Sequence, residues 1–251
     1  MNPFLEEVDT AKYDAARPYF HPLVVRRVAG VLGNPGLLTS LDVACGTGYS
    51  TEALTAISKS VVGLDESAEM LRQARCRGVV PYVRGLAEDL PFCAGSFDLV
   101  SVGLGLHWFD RSAFLSEAGR VLRDRCWLLV YDSGFCGRMR ENAAFGDWVR
   151  QYRDRFPAPP RNDEPLPAEL LAQIGFNQVL SEQFVHAEVY DLDQLVAYLN
   201  TQSNIRFALH ERHETPSTIS TWLRTTLAPM FKAVTGTFEY QGWLLLFQKA
   251  G

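Results

Sequence analysis

The sequence predicts a doubly wound α/β fold, a parallel sheet with helices on both faces. Two observations carry that expectation. Short apolar runs alternate with amphipathic stretches from Leu41 to Tyr131, which is the rhythm of strand-helix units. The composition is that of an ordinary globular chain: 47% of the 251 residues are hydrophobic and 21% charged, so disordered, collagenous and coiled-coil classes are excluded. A chain of this length buries enough surface to fold without disulfides or a metal.

Leu41-Asp42-Val43-Ala44 reads as the first strand, ending in a glycine turn, and Thr51 to Ile57 as a helix. Ser60 to Leu64 reads as a second strand, and Ser67 to Arg75 as a helix with Ala68, Leu71 and Ala74 on one side. Val79 to Val83 is a third strand and Phe97 to Val102 a fourth. Arg111 to Leu122 is a helix, with Phe114, Leu115, Ala118 and Leu122 at helical spacing. Trp127 to Tyr131 is a fifth strand. Beyond it the rhythm changes. Arg138 to Phe156 reads as helix, stopped by Pro157, Pro159 and Pro160. Pro167 to Ile174 is a short helix closed by Gly175. Asn177 to Tyr190 is a strand, Asp191 to Asn200 a helix with an acidic N-cap, and Thr218 to Ala233 a helix kinked or ended near Pro229. Phe238 to Lys249 is the last strand. The expected architecture is one domain, residues 1–251, with a seven-stranded sheet whose terminal strand is antiparallel. Residues 1–35 form an N-terminal helical lid, 38–132 a ligand-binding core, and 133–175 and 191–235 insertions on the substrate side.

Charge and cysteine usage narrow the function. Lys and Arg number 24 and Asp and Glu 29, a net charge of −5, which sets aside nucleic acid as a partner. The five cysteines Cys45, Cys76, Cys93, Cys126 and Cys136 form no CxxC pair, so a disulfide framework or zinc ribbon is not expected. No apolar run approaches the ~20 residues of a membrane span. The expected setting is the cytoplasm, with no membrane and no metal; the oligomeric state is not legible. Aromatic residues make up 12%, which fits a protein that walls a cavity with rings.

The informative segment is Leu41-Asp42-Val43-Ala44-Cys45-Gly46-Thr47-Gly48-Tyr49. A strand entering Gly-x-Gly and then a helix lets the backbone approach a ligand closely. Twenty-three residues after Asp42, the next strand ends at Asp65, placed to accept hydrogen bonds from two ribose hydroxyls. A dinucleotide fingerprint needs a third glycine where Thr51 stands, and its pyrophosphate would be repelled by Asp42. An acid here suits a ligand carrying an amino or sulfonium cation. No Lys-Ser/Thr follows the glycines, so this is not a phosphate-binding P-loop. Read singly, Asp42 could cap the turn and Asp65 the helix at Ser67.

Four motifs in order resemble class I S-adenosylmethionine-dependent methyltransferases of the small-molecule type: residues 41–48, Val-Gly-Leu-Asp-Glu-Ser-Ala-Glu-Met-Leu at 62–71, Gly-Leu-Ala-Glu-Asp-Leu-Pro-Phe at 85–92 with Ser-Phe-Asp-Leu-Val at 96–100, and Arg120-Val121-Leu122. Tyr13 to Tyr19, Gly105 to Asp110 and Tyr198 to Ser203 more weakly resemble the trans-aconitate methyltransferase group. The resemblance implies a Rossmann-like fold and S-adenosylmethionine as cofactor, with S-adenosylhomocysteine as product. It assigns Asp42 and the loop Ala44, Cys45, Gly46 and Gly48 to the methionine part, and Asp65 to the ribose. Glu66 and Met70 would flank the adenine, Ala87 and Glu88 meet its edge, and Gly103 and Leu104 floor the site. On the substrate side it points to Tyr13, Arg17, Tyr19, His107 and Trp108, with His107 as candidate catalytic base. Each has a plainer alternative. Cys45 fits as a small packing residue, Glu88 as a solvated face, Arg17 as a surface cation, and His107 and Trp108 as mutually packed rings. His210, Arg212 and His213 read as an exposed loop with no metal spacing. Leu86 stands where many relatives carry aspartate, and Arg123 to Cys126 replaces their usual Lys-Pro-Gly-Gly turn. The implied activity is methyl transfer to an oxygen, nitrogen or carbon of a small molecule. A methyltransferase acting on RNA or protein, a non-catalytic binder of the same cofactor, and a nicotinamide oxidoreductase remain alternatives.

Overall fold

A computed structural model describes residues 9–33, 36–78, 80–162, 164–211 and 214–251. Seven strands form one mixed sheet in the order β3-β2-β1-β4-β5-β7-β6. They are β1 (Leu37–Val43), β2 (Ser58–Asp65), β3 (Tyr82–Arg84), β4 (Phe97–Gly103), β5 (Leu122–Met139), β6 (Phe176–Asp191) and β7 (Thr235–Lys249). Strands β3, β2, β1, β4 and β5 pair in parallel. β7 enters between β5 and β6 and runs against β5. Its end meets the start of β5, where Lys249 reaches the Leu122 carbonyl. Its start meets the end of β5, where the Arg140 N–H donates to the Thr237 carbonyl. The expected antiparallel terminal strand is therefore present.

The chain divides into two compact units. One comprises residues 19–132, 161–183 and 243–251. Its helices α2 (His21–Leu32), α3 (Tyr49–Leu54), α4 (Ala68–Arg75), α5 (Arg111–Val121) and α7 (Ala168–Ile174) flank the parallel strands. Period-two alternation sorts the strand residues by face. Leu41, Val43, Leu64, Val100 and Val102 join Phe114 and Leu115 of α5 in one apolar cluster. Gly119 lets α5 and α7 approach, since a Cβ there would lie 2.5 Å from the Ile174 side chain. The opposite strand face carries Ser40, Asp42 and Ser101, all fully buried.

The other unit comprises residues 1–18, 133–160 and 184–242, with α1 (Thr10–Ala16), α6 (Phe145–Arg155), α8 (Leu192–Asn200), α9 (Ser203–Glu211) and α10 (Pro216–Leu227). Its core is aromatic: Phe145, Trp148, Tyr152, Phe156, Tyr198 and Phe238 are all buried in it. Asp191 caps α8 through the Gln194 N–H, and Gln194 reaches back to the Asp191 N–H. Asp191→Ala is expected to cost about 1 kcal/mol, read as a lower denaturant midpoint with unchanged slope.

Three local readings change. β5 runs to Met139, so the helix expected from Arg138 begins only at Phe145. Asp132, Ser133, Gly134 and Gly137 look like turn residues, but pairing with β7 overrides their propensity. Ser203–Glu211 is helical although the sequence predicts no element there. His210 thus lies on a helix and not in a loop, while Arg212 and His213 fall outside the described residues. The third strand is Tyr82–Arg84, and Val79 too lies outside them. Where the Lys-Pro-Gly-Gly turn is replaced, Arg125 takes a left-handed φ of 61°, a conformation glycine would hold without strain.

Candidate functional site

The carboxyl ends of β1, β2 and β4 build the site. β1 pairs with β2 on one side and β4 on the other. Such a reversal of strand order opens a crevice above the sheet. The loops leaving β1 and β4 both contain a strained non-glycine residue, Ala44 at φ 56° and Leu104 at φ 62°. They touch: a Cβ on Gly105 would lie 2.7 Å from the Ala44 Cβ. Left-handed non-glycine residues cost of order 1 kcal/mol or more and persist only where packing fixes them. Gly46 at φ 54° and Gly48 at φ 90° complete the turn. No atom lies within 4 Å of a Cβ built on Gly46, so its backbone faces open space. Gly48 is packed instead, its Cβ position 2.5 Å from the Tyr82 hydroxyl.

Asp42 is wholly buried at the end of β1. Its Oδ2 accepts hydrogen bonds from the Ser50 and Thr51 hydroxyls at 2.5 and 2.6 Å. Its Oδ1 is buried without a hydrogen-bond partner. Burial pushes this carboxyl up to about 7, against the two hydroxyls, and the nearby Asp65 charge adds to the rise. Thr51, which stands where a third glycine would be, therefore holds Asp42. In the sequence Ser50 carries no mark of this role, and Thr51 reads as the place of a missing glycine. Their i+8 and i+9 spacing from an acid before a glycine turn is the signal that could find them.

Asp65 ends β2 and is buried. Its Oδ2 accepts the Gly46 N–H at 2.8 Å and its Oδ1 the Ser67 N–H at 2.9 Å. It thereby ties the glycine loop to the start of α4, and each oxygen keeps a second lone pair for a ligand hydroxyl. Burial raises its carboxyl above the ordinary range, opposed by those backbone donors. A further clamp has no signature in the sequence. Arg77 Nε donates to the Thr47 carbonyl at 2.8 Å, its Nη1 meets Glu52 at 3.0 Å, and its guanidinium lies 3.8 Å from the Tyr49 ring centroid.

Three buried polar atoms without partners fall in one row across the sheet. Tyr82, Gly63, Asp42 and Ser101 are register neighbours on β3, β2, β1 and β4. The Tyr82 hydroxyl, Asp42 Oδ1 and Ser101 Oγ are all buried and unsatisfied. Buried polar groups are normally paired, so this row suits polar partners, ordered water or a ligand. Midway along β5, Tyr131 packs under Gly103, where a Cβ would lie 2.5 Å from its ring. The Tyr131 hydroxyl is 2.8 Å from His21 Nδ1, a contact between positions 110 residues apart.

The other expected residues are placed as follows. Cys45 is buried with Leu71, Ala74 and Tyr82, and burial drives its thiol pKa well up, the setting of a packing residue. Met70 is buried on α4. Ala87 sits in the apolar cluster. The Glu66 carbonyl receives Arg84. Glu88 Oε1 accepts the Asp110 N–H at 2.9 Å, fixing the entry to α5. His107 and Trp108 lie in a single 3-10 turn after β4, rings 4.6 Å apart, with His107 Nδ1 3.7 Å from Asp132 Oδ2. Tyr19 is exposed, 5.0 Å from the Tyr49 ring. Tyr13 and Arg17 belong to the second unit, where the Arg17 guanidinium lies 5.2 Å from the Tyr13 ring centroid and 5.9 Å from that of Tyr198. Among the described residues no group of three or more His, Cys, Asp or Glu could hold a metal, and no helix is long and apolar enough to cross a membrane.

The comparisons with known proteins bear on this arrangement directly. Residues 41–130 match the family model described as Methyltransferase domain, the stretch that holds the end of β1, the glycine loop, Asp65 and Leu104. Over that stretch the chain is similar to a methyltransferase domain. A curated relative from Synechocystis, an uncharacterized methyltransferase, is 44% identical over 110 residues, covering 41% of this chain and 49% of its own. Another, from Schizosaccharomyces pombe, is 26% identical over 226 residues, 87% of each chain. The chain thus spans about half the length of the Synechocystis relative and most of the second. A solved structure from Anaeromyxobacter dehalogenans, described as a candidate type II methyltransferase, shares the fold at TM-score 0.68 with 21% identity, covering 91% of this chain and 95% of its own. Geranyl diphosphate C-methyltransferase from Streptomyces coelicolor, solved with Mg2+, geranyl diphosphate and S-adenosylhomocysteine, aligns at TM-score 0.51 with 16% identity, covering 91% and 77%.

The donor set fits the methionine and ribose parts of S-adenosylmethionine. Asp42 offers a buried carboxylate oxygen without a partner, which a cationic ligand would satisfy. Gly46 leaves open space beside its backbone.

Proposed function

We propose that this methyltransferase uses S-adenosylmethionine and transfers its methyl group to an oxygen, nitrogen or carbon of a small molecule. The observation that carries this reading is the unpartnered, fully buried Oδ1 of Asp42 at the end of the strand that enters the glycine turn. Such a carboxylate is destabilising until a cation meets it, and the amino group of the methionine part is that cation. Asp65 takes the ribose hydroxyls while keeping the Gly46 and Ser67 N–H groups. Glu66 and Met70 flank the adenine, with Ala87 and Glu88 at its edge, and Gly103 and Leu104 form the floor.

S-adenosylmethionine supplies an electrophilic methyl on a sulfonium, so the protein's task is to align the acceptor and exclude water. His107, whose Nδ1 lies 3.7 Å from Asp132 Oδ2, takes the proton from an acidic hydroxyl acceptor; a carboxylate acceptor needs no base. Tyr13, Arg17, Tyr19 and Trp108 are the proposed substrate contacts, Arg17 as the bidentate partner of a carboxylate. The geranyl diphosphate enzyme is a relative in fold whose acceptor is a small molecule. The net charge of −5 and the absence of a basic stripe in the sequence count against nucleic acid. A cytoplasmic location belongs to the same reading.

The test is formation of S-adenosylhomocysteine by the purified chain with panels of small carboxylates, phenols and amines. Turnover with at least one acceptor, lowered in His107→Ala for hydroxyls but not for carboxylates, is expected. Tight cofactor binding with no product from any panel would instead make the chain a non-catalytic binder.

A further inference from the structure

The second unit holds a constellation that methyl transfer does not use. Ser133 lies on β5, and His186 and Glu188 lie on β6, two residues apart and so on one face of the strand. Ser133 Oγ is 2.9 Å from His186 Nε2. His186 Nδ1 is 3.2 Å from Glu188 Oε1. The atoms therefore run hydroxyl, Nε2, Nδ1, carboxylate, the order in which a serine hydroxyl is activated for acyl transfer on unrelated folds. The acid fixes the tautomer: with Nδ1 donating to Glu188, Nε2 is left to accept the Ser133 proton.

The imidazole is held in place. It stacks on Tyr240 at 4.9 Å with planes 14° apart, and Phe184 lies 6.3 Å away. The His186 side chain is only 10% exposed, while Glu188 is 31% exposed. Ser133 itself is half-buried. The residue after it is Gly134, and nothing lies within 4 Å of a Cβ built there, so the backbone beside the hydroxyl is open to an incoming carbonyl.

We infer that Ser133, His186 and Glu188 form a second catalytic site, a hydrolytic one whose substrates are small esters. The Ser133 oxygen bonds to the ester carbonyl carbon as its proton passes to His186 Nε2. The carbon–oxygen bond to the alcohol then breaks, and the alcohol leaves with that proton. Water attacks the resulting acyl-serine, its proton returns through His186 to Ser133, and the carboxylic acid departs. The sum is ester plus water giving acid plus alcohol, with no further reactant.

The test uses the full chain without S-adenosylmethionine, so it is independent of the methyl-transfer reading. A fluorophosphonate probe is expected to label Ser133, located by peptide mass spectrometry. Hydrolysis of p-nitrophenyl acetate is expected to fall at least about tenfold in Ser133→Ala and in His186→Gln, and less in Glu188→Gln. Melting curves by circular dichroism check that the variants fold. If they do not, the label on the unaltered protein decides. No label on Ser133, or a Ser133→Ala rate within about twofold of the parent in a folded protein, would overturn the assignment.

Discussion

Asp42→Asn is expected to weaken S-adenosylmethionine binding by at least about 100-fold and, at the same time, to raise the melting temperature of the ligand-free protein at pH 8. The first effect follows from removing the buried charge opposite a cation, worth roughly 3–5 kcal/mol when one partner is lost. The second follows from linkage. The Asp42 carboxyl is pushed up to about 7 by burial, whereas in the unfolded chain it titrates near 3.9. Between those values the folded state holds a proton that the unfolded state has released. Stability contributed by this group therefore falls as pH rises from about 4 to about 7, and the penalty is fully present above 7. An uncharged asparagine side chain carries no such penalty. The variant is thus expected to be stabilised by roughly 3–8 °C at pH 8 and by about a third as much at pH 5, measured by scanning calorimetry at both pH values. The same titration makes cofactor affinity pH-dependent. Below pH 7 the ligand must displace a proton from Asp42, so affinity falls about tenfold per pH unit.

Asp65→Ala is expected to cost both binding and stability, the opposite pairing. The carboxylate accepts the Gly46 and Ser67 N–H groups, and its loss leaves those donors without that acceptor. A destabilisation of about 1–3 kcal/mol follows. The ribose hydroxyls lose a charged acceptor as well, so cofactor affinity drops roughly 100-fold. Asp65→Asn separates the contributions. The amide oxygen still accepts one backbone N–H while the NH2 faces the other donor, so part of the stability returns while ribose affinity stays low. Denaturant titrations of the three proteins alongside cofactor titrations check the split.

The contrast between the two acids marks what the sequence can and cannot reveal. Asp42, Gly46, Gly48 and Asp65 are legible because each follows from a local rule: a strand end, a tight turn, a second strand end at fixed distance. The parallel strands are legible for the same reason, since Leu41, Val43, Val100 and Val102 face one side at period two. The relations that give these residues their energetics are not local. Ser50 and Thr51 look like ordinary helix-start residues until they turn on to Asp42. Tyr131 and His21 are joined across 110 positions, and Ser133 and His186 across 53. No periodicity encodes such contacts; the sheet order creates them. β5 is longer than its sequence suggests because Gly134 and Gly137 signal turns, and pairing with β7 outweighs them. Helix α9 leaves little trace because Ile205 and Ala208 are its only buried apolar residues, too few to form a stripe.

The most direct measurement is isothermal titration calorimetry of the full chain with S-adenosylmethionine and with NAD, each at about pH 6.5, just below the Asp42 titration, in two buffers of different ionisation enthalpy. Binding of S-adenosylmethionine alone is expected, with an enthalpy that depends on the buffer because Asp42 releases a proton, and loss of both in Asp42→Asn. Binding of NAD without S-adenosylmethionine, or undiminished S-adenosylmethionine binding in Asp42→Asn, would contradict it.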